Sequence, residues 1–469
     1  MDGRLLRGRH RRCHRPRHQP VHEIRTHPGD RRPVRGPARH AREARERLTS
    51  GTAAPHRKAP VLPVTNPPYD AVVVGAGPIG SATARHLAEQ GASVLVVGPE
   101  EPAGFADHDG VWAGHYDQGR LCHVLEVPLA TTLMALRSIR RFADLAERTG
   151  VSFTHAIESV AVMPEGIDDP ELAAWFDPDR FVANAQDLGK EVERLSGEKL
   201  ASAYPKLRFE AGHIGVRQQD ALIVNPRDLT RAELAAATAA GAVLMRDSVV
   251  EIGPSKSGRR EVTTRDGRRW SAGTVIVATG ASTNTNGFLP RPLAMEVFGA
   301  TVTLVEVADP AEFDGYPGLM YLKAGARGVA YGGIVMPPLR YPDGKWYVKC
   351  AGDSLLAHPL ATAADIGAWV RTGGVPGDID TARALLAELM PDKTFGAAHT
   401  RPCLVSANHS QHPYIDVVDD GLVVATEGER GVMAADEIGR LTAHLAATGG
   451  WRDGLPRELF TARWLDHAG

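Results

Sequence analysis

The sequence predicts an α/β fold in which parallel, nucleotide-binding segments are interleaved with a second, antiparallel α+β domain. Three observations predict it. Residues 72–98 read as an apolar strand, a glycine turn (Gly75-Ala-Gly77-Pro78-Ile79-Gly80), an alanine-rich helix and a second apolar strand ending at Val97-Gly98. A second strand-to-turn segment, Val275-Ile-Val-Ala-Thr279-Gly280-Ala281, comes much later. Between residues 295 and 355 the texture changes to short alternating strands broken by Gly and Pro. That is the pattern of an antiparallel sheet with one covered face.

The glycine turn is the most chemical of these elements. Gly75 permits the tight turn, Gly77 lets backbone approach a phosphate, and Gly80 lets the helix sit close to the sheet. The helix N-terminus that follows points N–H groups and a positive dipole end at an anion. Gly75, Gly77, Pro78, Ile79 and Gly80 are therefore the candidate cradle of a dinucleotide pyrophosphate in a Rossmann-type unit. The other reading is a glycine turn in some unrelated α/β domain.

The remaining elements follow in order. A Gly/Asp/His-rich loop covers 104–120, and an amphipathic helix covers about 127–149, ending at Gly150. Val151–Met163 reads as strand, 168–206 as mixed helix and loop, and Asn225-Pro-Arg-Asp opens a helix over 227–240. A strand over 242–252 continues the βαβ order, and a hairpin turns at Arg265-Asp-Gly267. In the antiparallel region the strands are Thr301–Val307, Leu319–Lys323, Val329–Ile334 and Trp346–Ala351. Helices return at 362–372 and 379–390, strand returns at 413–426 with a turn at Asp419-Asp-Gly421, and a last helix begins near Gly431. These boundaries assign 68–150, 205–290 and 395–455 to the nucleotide-binding domain, and 151–204 and 291–394 to the second domain.

Composition bounds the function. The chain has 469 residues, 43% apolar and 23% charged, as in a soluble globular protein. Its net charge of −2 is unevenly spread: residues 1–69 carry 17 basic against 5 acidic side chains, the rest 37 against 51. An acidic body argues against a nucleic-acid partner. Residues 1–65 are rich in Arg, His and Pro without apolar periodicity, which predicts a disordered basic tail or a mis-assigned start, the true one lying near Val61 or Val64. A basic nucleic-acid arm is the other reading of this segment. A transit peptide is disfavoured by the scarcity of serine, and twin-arginine export by the lack of an apolar stretch after Arg31-Arg32. Cys13, Cys122, Cys350 and Cys403 form no CxxC pair or regular framework, which fits a reducing, cytoplasmic setting. No apolar run of about 18 residues predicts a membrane span, and no metal-ligand set is assigned.

Together with Cys403-Leu-Val-Ser-Ala-Asn-His-Ser-Gln-His-Pro-Tyr-Ile-Asp416, the two glycine-containing motifs resemble the FAD-dependent D-amino-acid oxidase superfamily, in its monomeric sarcosine oxidase-like branch. The resemblance covers about residues 70–450. It implies a Rossmann-type FAD-binding domain interleaved with an antiparallel α+β substrate domain. It also implies oxidation of the C–N bond of a small amine or amino acid to an imine, oxygen as acceptor giving peroxide, and a monomer. By the same resemblance Cys403 links covalently to the flavin, Lys349 faces the flavin and oxygen, and Arg120 lies near the ring. His115 and Tyr116 fall in the active-site loop, the Val250 backbone meets the adenine, Thr279 and Gly280 line the cofactor, and Gly431 and Gly439 open and pack the last helix. From the residues alone Cys403 also reads as a small buried cysteine, and Lys349 as a strand lysine turned to solvent.

The chain departs from the family at three places. Gly98 stands where an Asp or Glu binds the ribose, so Glu100, or Glu101 beside it, is the substitute candidate. His123 and Met433 replace the two cations that hold a substrate carboxylate, with Arg430 nearby as a shifted cation. Asp353 replaces a histidine, either favouring a cationic amine together with Glu427 and Glu429 or fixing a turn after Gly352. His123, Tyr116 and Asp353 are the candidate substrate contacts, with Lys349 the candidate oxygen-side residue. Rival readings are an FAD dehydrogenase passing electrons to a carrier, a nicotinamide-dependent dehydrogenase, and a non-catalytic flavin-binding module.

Overall fold

The strand Tyr69–Val74 is apolar on both faces because both are covered. Ala71 and Val73 pack among Ala84, Leu87, Ile438 and Leu441 of two helices. Val72 and Val74 pack on the opposite side with Val262, Trp270 and Val277. Such two-sided burial is the usual fate of a parallel strand. The computed structural model describes residues 68–465, apart from 107, 109, 168–172, 174, 255, 326–327, 352–356 and 429. The readings of residues 1–65, Asp353 and Glu429 therefore lie outside the described residues.

Tyr69–Val74 sits inside an eight-stranded sheet. It pairs in parallel with Val94–Val97 on one side and Arg269–Val277 on the other. Val243–Met245 and Leu422–Ala425 extend the parallel set outward, and Ile415–Asp419 closes one edge antiparallel. The helix Pro78–Glu89 connects the first two strands, completing the βαβ unit. The strand expected over 242–252 is two strands, Val243–Met245 and Val249–Ile252.

The second sheet has ten strands, built on the antiparallel run Met295–Val307, Trp346–Ala351, Gly328–Arg340 and Gly318–Gly325. Gly318–Gly325 then pairs in parallel with Thr154–Pro164. Arg120–Cys122, His213–Val224 and Ala398–Asn408, which the sequence boundaries put in the nucleotide-binding segments, are hydrogen-bonded into this second sheet instead. The reason is their length and partners: His213–Val224 runs antiparallel to Thr154–Pro164 over almost its whole extent, a pairing that periodicity cannot assign.

Four helices cover the parallel sheet on the Val73 side. Gly439 of Gly431–Thr448 lies so close to Pro78–Glu89 that a β-carbon there would be 2.6 Å from Ala82 Cβ. Between these helices lies a buried ionic cluster. Arg85 donates from Nε to Glu233 at 2.5 Å and also pairs with Asp436. Asp436 further accepts from Arg141 at 2.6 Å and lies 2.7 Å from His86. Both Pro78–Glu89 and Gly431–Thr448 aim their N-termini at one cavity.

Candidate active site

That cavity, about 1370 Å³, runs from the glycine turn to Met433 and is lined by both sheets. It exceeds the roughly 300–1000 Å³ of an ordinary small-molecule site, so it has room for a dinucleotide and a second molecule. At one end lie Gly75, Gly77, Pro78 and Ile79. Gly75 has φ +112°, and a β-carbon there would strike the Ala278 carbonyl. Gly80 does not line the cavity; its bare Cα lets the helix rest on the Gly75 carbonyl. Thr279 and Gly280, at the end of the neighbouring parallel strand, complete this rim.

The departure at Gly98 has a steric cause. A β-carbon there would lie 2.5 Å from Ala76 Cβ and 2.6 Å from Ala76 N, so the glycine turn excludes a carboxylate at this position. Glu101, not Glu100, lines the cavity; Glu100 is exposed and the Glu101 carboxylate is held by Arg227 Nε at 2.7 Å. Arg246 follows the strand whose Met245 carbonyl accepts from Gly98 N–H at 3.1 Å, and it lines the same corner. The Val250 side chain is 53% exposed, and the lining residues there are Asp247, Ser248 and Val249.

His115 lies over Gly77, its ring 3.5 Å from where a β-carbon would be. Burial, reinforced by Arg227, Arg120 and Arg246, pushes its pKa down to about 3, so the ring is neutral in ordinary buffers. Tyr116 stacks edge-on against it with centroids 4.6 Å apart. Burial, then the Glu101 charge, raises the Tyr116 phenol to about 12. Tyr116 thus keeps company with Glu101, Arg227 and Arg246, whereas the sequence reading grouped it with His123.

Two cations that line the cavity, Lys349 and Arg120, meet one anion. Lys349 Nζ donates to Asp117 Oδ2 at 2.6 Å and to the Gly119 carbonyl at 2.7 Å, and the side chain is only 2% exposed. Val348 and Cys350 on either side of it turn into a different cluster, so the alternation along Trp346–Ala351 aims Lys349 inward. Arg120 pairs with the same Asp117 oxygen, donates to the Gly114 carbonyl at 2.7 Å and comes 3.7 Å from Cys403 Sγ. Burial alone would raise the Asp117 pKa, but Lys349 and Arg120 hold it well below the usual carboxylate range. Burial, then Arg120, lowers Lys349 from the ordinary lysine value, with Asp117 opposing.

His123 and Met433 also line the cavity. His123 Nδ1 is 3.2 Å from Ser159 Oγ, and its Nε2 is 3.4 Å from Glu126 Oε1. Arg430 donates to that same Glu126 oxygen at 2.7 Å and lies 5.3 Å from the Trp175 ring centroid. Burial works against ionisation of Glu126, but Arg430 and His123 outweigh it and hold the carboxyl down to about 2. Gly431 opens the last helix beside Glu427, whose carboxyl burial raises above the ordinary glutamate value.

Residues 70–445 match the protein family described as FAD dependent oxidoreductase, most of the chain. The chain belongs to this family. Among curated relatives, monomeric sarcosine oxidase of Bacillus sp. (strain B-0618) is 23% identical over 393 residues, 81% of this chain and 93% of the relative. Among solved structures, NikD, an amino acid oxidase of nikkomycin biosynthesis, superposes with TM-score 0.65 at 20% identity, covering 86% of this chain and all of NikD. L-proline dehydrogenase from P. horikoshii gives 0.64 at 16% identity, covering 84% and 96%. These likenesses show the shared fold.

The residues present fit the family's flavin dinucleotide: a turn in which β-carbons added at Gly75 and Gly80 would strike backbone, a helix N-terminus behind it, and a cavity of sufficient volume. Asp117, Tyr341, Glu126 and Trp175 escaped sequence reasoning. The signal for two of them was short-range spacing, since Asp117 precedes Arg120 by three residues and Glu126 follows His123 by three. Tyr341 directly follows the distant strand Gly328–Arg340, and its hydroxyl reaches Asp117 Oδ1 at 2.7 Å only in the folded chain.

Proposed function

We propose that this FAD-dependent oxidoreductase oxidises the C–N bond of a small amine or amino acid to an imine, with oxygen as the electron acceptor and peroxide as product. The bound flavin supplies the two-electron redox chemistry; the protein positions the substrate and tunes the electrostatics. The observation that carries the reading is the buried Lys349 ammonium, lining the same cavity as the glycine turn. A fixed cation in a water-poor site favours negative charge developing on oxygen.

The substrate end is His123, Glu126 and Arg430, with Met433 and Trp175 as apolar walls. The Arg430 guanidinium, anchored by Glu126, supplies a cation for a substrate carboxylate where His123 and Met433 do not. A charge buried without such a partner would be costly. The reacting nitrogen must be neutral, so the rate rises with pH through the substrate's own ionisation. The Cys403 thiol, lining the cavity 3.7 Å from Arg120, supports a covalent thioether to the flavin.

A second reading, a dehydrogenase that hands electrons to a carrier, is favoured by the pairing of Lys349 with Asp117, which offsets the ammonium charge. One experiment separates the two. The purified yellow protein is reduced anaerobically with a panel of amines and amino acids, then mixed with air. Oxidase action gives fast reoxidation with one peroxide per flavin, slowed in Lys349→Met. Slow reoxidation in the wild type supports the dehydrogenase, and no reduction by any member of the panel removes both.

A further inference from the structure

We propose that Asp117 is a positioning residue, a shared anion that fixes Lys349 and Arg120 and steadies the net charge they present to the cavity as pH rises. The proposal rests on the reading of this cavity as the flavin site.

The geometry is that of a clamp. Asp117 is 4% exposed and sits in the loop ahead of Arg120–Cys122. Its Oδ2 accepts from Lys349 Nζ at 2.6 Å and from Arg120 Nη1; its Oδ1 accepts from Tyr341 OH at 2.7 Å and from the Gln118 N–H at 2.8 Å. The cations come from different places, Lys349 from Trp346–Ala351 and Arg120 from the loop end, and this carboxylate joins them, helped by the Gly119 carbonyl, which also accepts from Arg120 Nη1 at 3.0 Å. Each cation has a backbone tether as well, Gly119 O for Lys349 and Gly114 O for Arg120, both at 2.7 Å. The position of each head group is thus set from two sides.

The charge consequence follows from what faces Lys349. Its charged and titratable neighbours are Arg120, Asp117 and the Cys403 thiol, with Tyr341 bonded through Asp117 and Glu427 facing Arg120. A buried ammonium beside a guanidinium, with no anion between them, gives up its proton readily. Asp117 opposes this. With it, the group holds one net positive charge to higher pH; without it, the group carries two positive charges at low pH and drops to one sooner as pH rises.

The test is Asp117→Asn, with Asp117→Glu as the charge-preserving control. Lysine side-chain NMR with ¹³Cε labelling reads the Lys349 ionisation directly and needs no flavin; the signal is assigned by its loss in Lys349→Met. Expected is a Lys349 titration at least about one pH unit lower in Asp117→Asn than in the wild type, a tenfold change in its protonation constant, and a smaller shift in Asp117→Glu. On the flavin-loaded protein, the dissociation constant for sulfite is then measured across pH. Asp117→Asn binds sulfite about tenfold more tightly than wild type near pH 6, and the advantage fades towards pH 9 as Lys349 loses its proton. In the Lys349→Met background the pH-dependent part of this ratio is absent. An unmoved Lys349 titration overturns the proposal, as does a sulfite ratio that depends on pH without Lys349. A shifted titration with no change in sulfite binding upholds the clamp and counts against the cavity as the flavin site. If Asp117→Asn does not fold, Asp117→Ser, which also removes the carboxylate, carries the NMR test, and a titration identical to wild type overturns the proposal.

Discussion

Gly98 and Ala76 stand so close that a β-carbon on Gly98 would lie 2.5 Å from the Ala76 Cβ. The second strand and the glycine turn have closed on each other, and the space that holds a carboxylate in related sites is gone. Gly98→Asp, which restores the family residue, is therefore expected to damage the protein. Overpacking of this kind costs about 1–3 kcal/mol, read as a lowered melting temperature with loss of retained flavin. Ala76→Gly in the same chain rescues little, because the Ala76 amide nitrogen is 2.6 Å away. A Gly98→Asp protein with wild-type stability and flavin content would contradict the contact.

Arg85 serves two buried carboxylates, Glu233 and Asp436, and they titrate in opposite directions. Burial, with Asp436 adding to it and Arg85 opposing, pushes Glu233 up to about 7. Burial also disfavours ionised Asp436, but His86, Arg141 and Arg85 hold it down to about 2. A raised folded value stabilises below the ordinary glutamate range and is lost as pH rises through about 7. The depressed Asp436 stabilises above the ordinary aspartate range and is lost as pH falls through about 2. Urea melts at pH 5 and pH 8 then show a loss on the order of 1–3 kcal/mol in the wild type. Glu233→Gln lacks that loss, and equal slopes in the two proteins would refute the assignment.

Cys403 is expected to carry the flavin. On a denaturing gel the wild-type band fluoresces and the Cys403→Ala band does not. Fluorescence that survives the substitution, or a dark wild-type band, would dismiss the thioether.

Arg430 is expected to discriminate between substrates. Arg430→Met removes a charge-assisted contact, and such contacts are worth about 1.5–3 kcal/mol. The value of kcat/KM should fall by roughly ten- to a hundredfold for amino acids, and far less for amines that lack a carboxylate. Because Glu126 loses its cation at the same time, the melting temperature falls as well. Equal losses on both substrate classes would point to a structural role only.

Local pattern carried the nucleotide half of the fold. The apolar strand, glycine turn and alanine-rich helix announce themselves within 27 residues, 72–98, and the structure forms them as read. The turn at Asp419-Asp-Gly421 and the helix opening at Gly431 were equally local. The assignment of strands to sheets was not, because Arg120–Cys122 and Ala398–Asn408 choose partners far away in sequence. Lys349 and Cys403 were legible through resemblance, and both line the cavity. Asp117 was invisible for a physical reason: it matters only through Lys349 and Tyr341, more than two hundred residues downstream.

Arg85 and Asp436 couple the helix that opens at the glycine turn to the helix that opens at Gly431, with Gly439 pressed on Ala82 between them. That junction has a consequence for the order in which the protein is made. The nascent chain emerges with the glycine turn early, but the helix that braces it is translated more than three hundred residues later. Until then Arg85 has no Asp436 to pair with, and the parallel sheet lacks Leu422–Ala425. The cavity, which Gly431, Val432 and Met433 help to line, is therefore complete only after the segment through Thr448 has left the ribosome and docked.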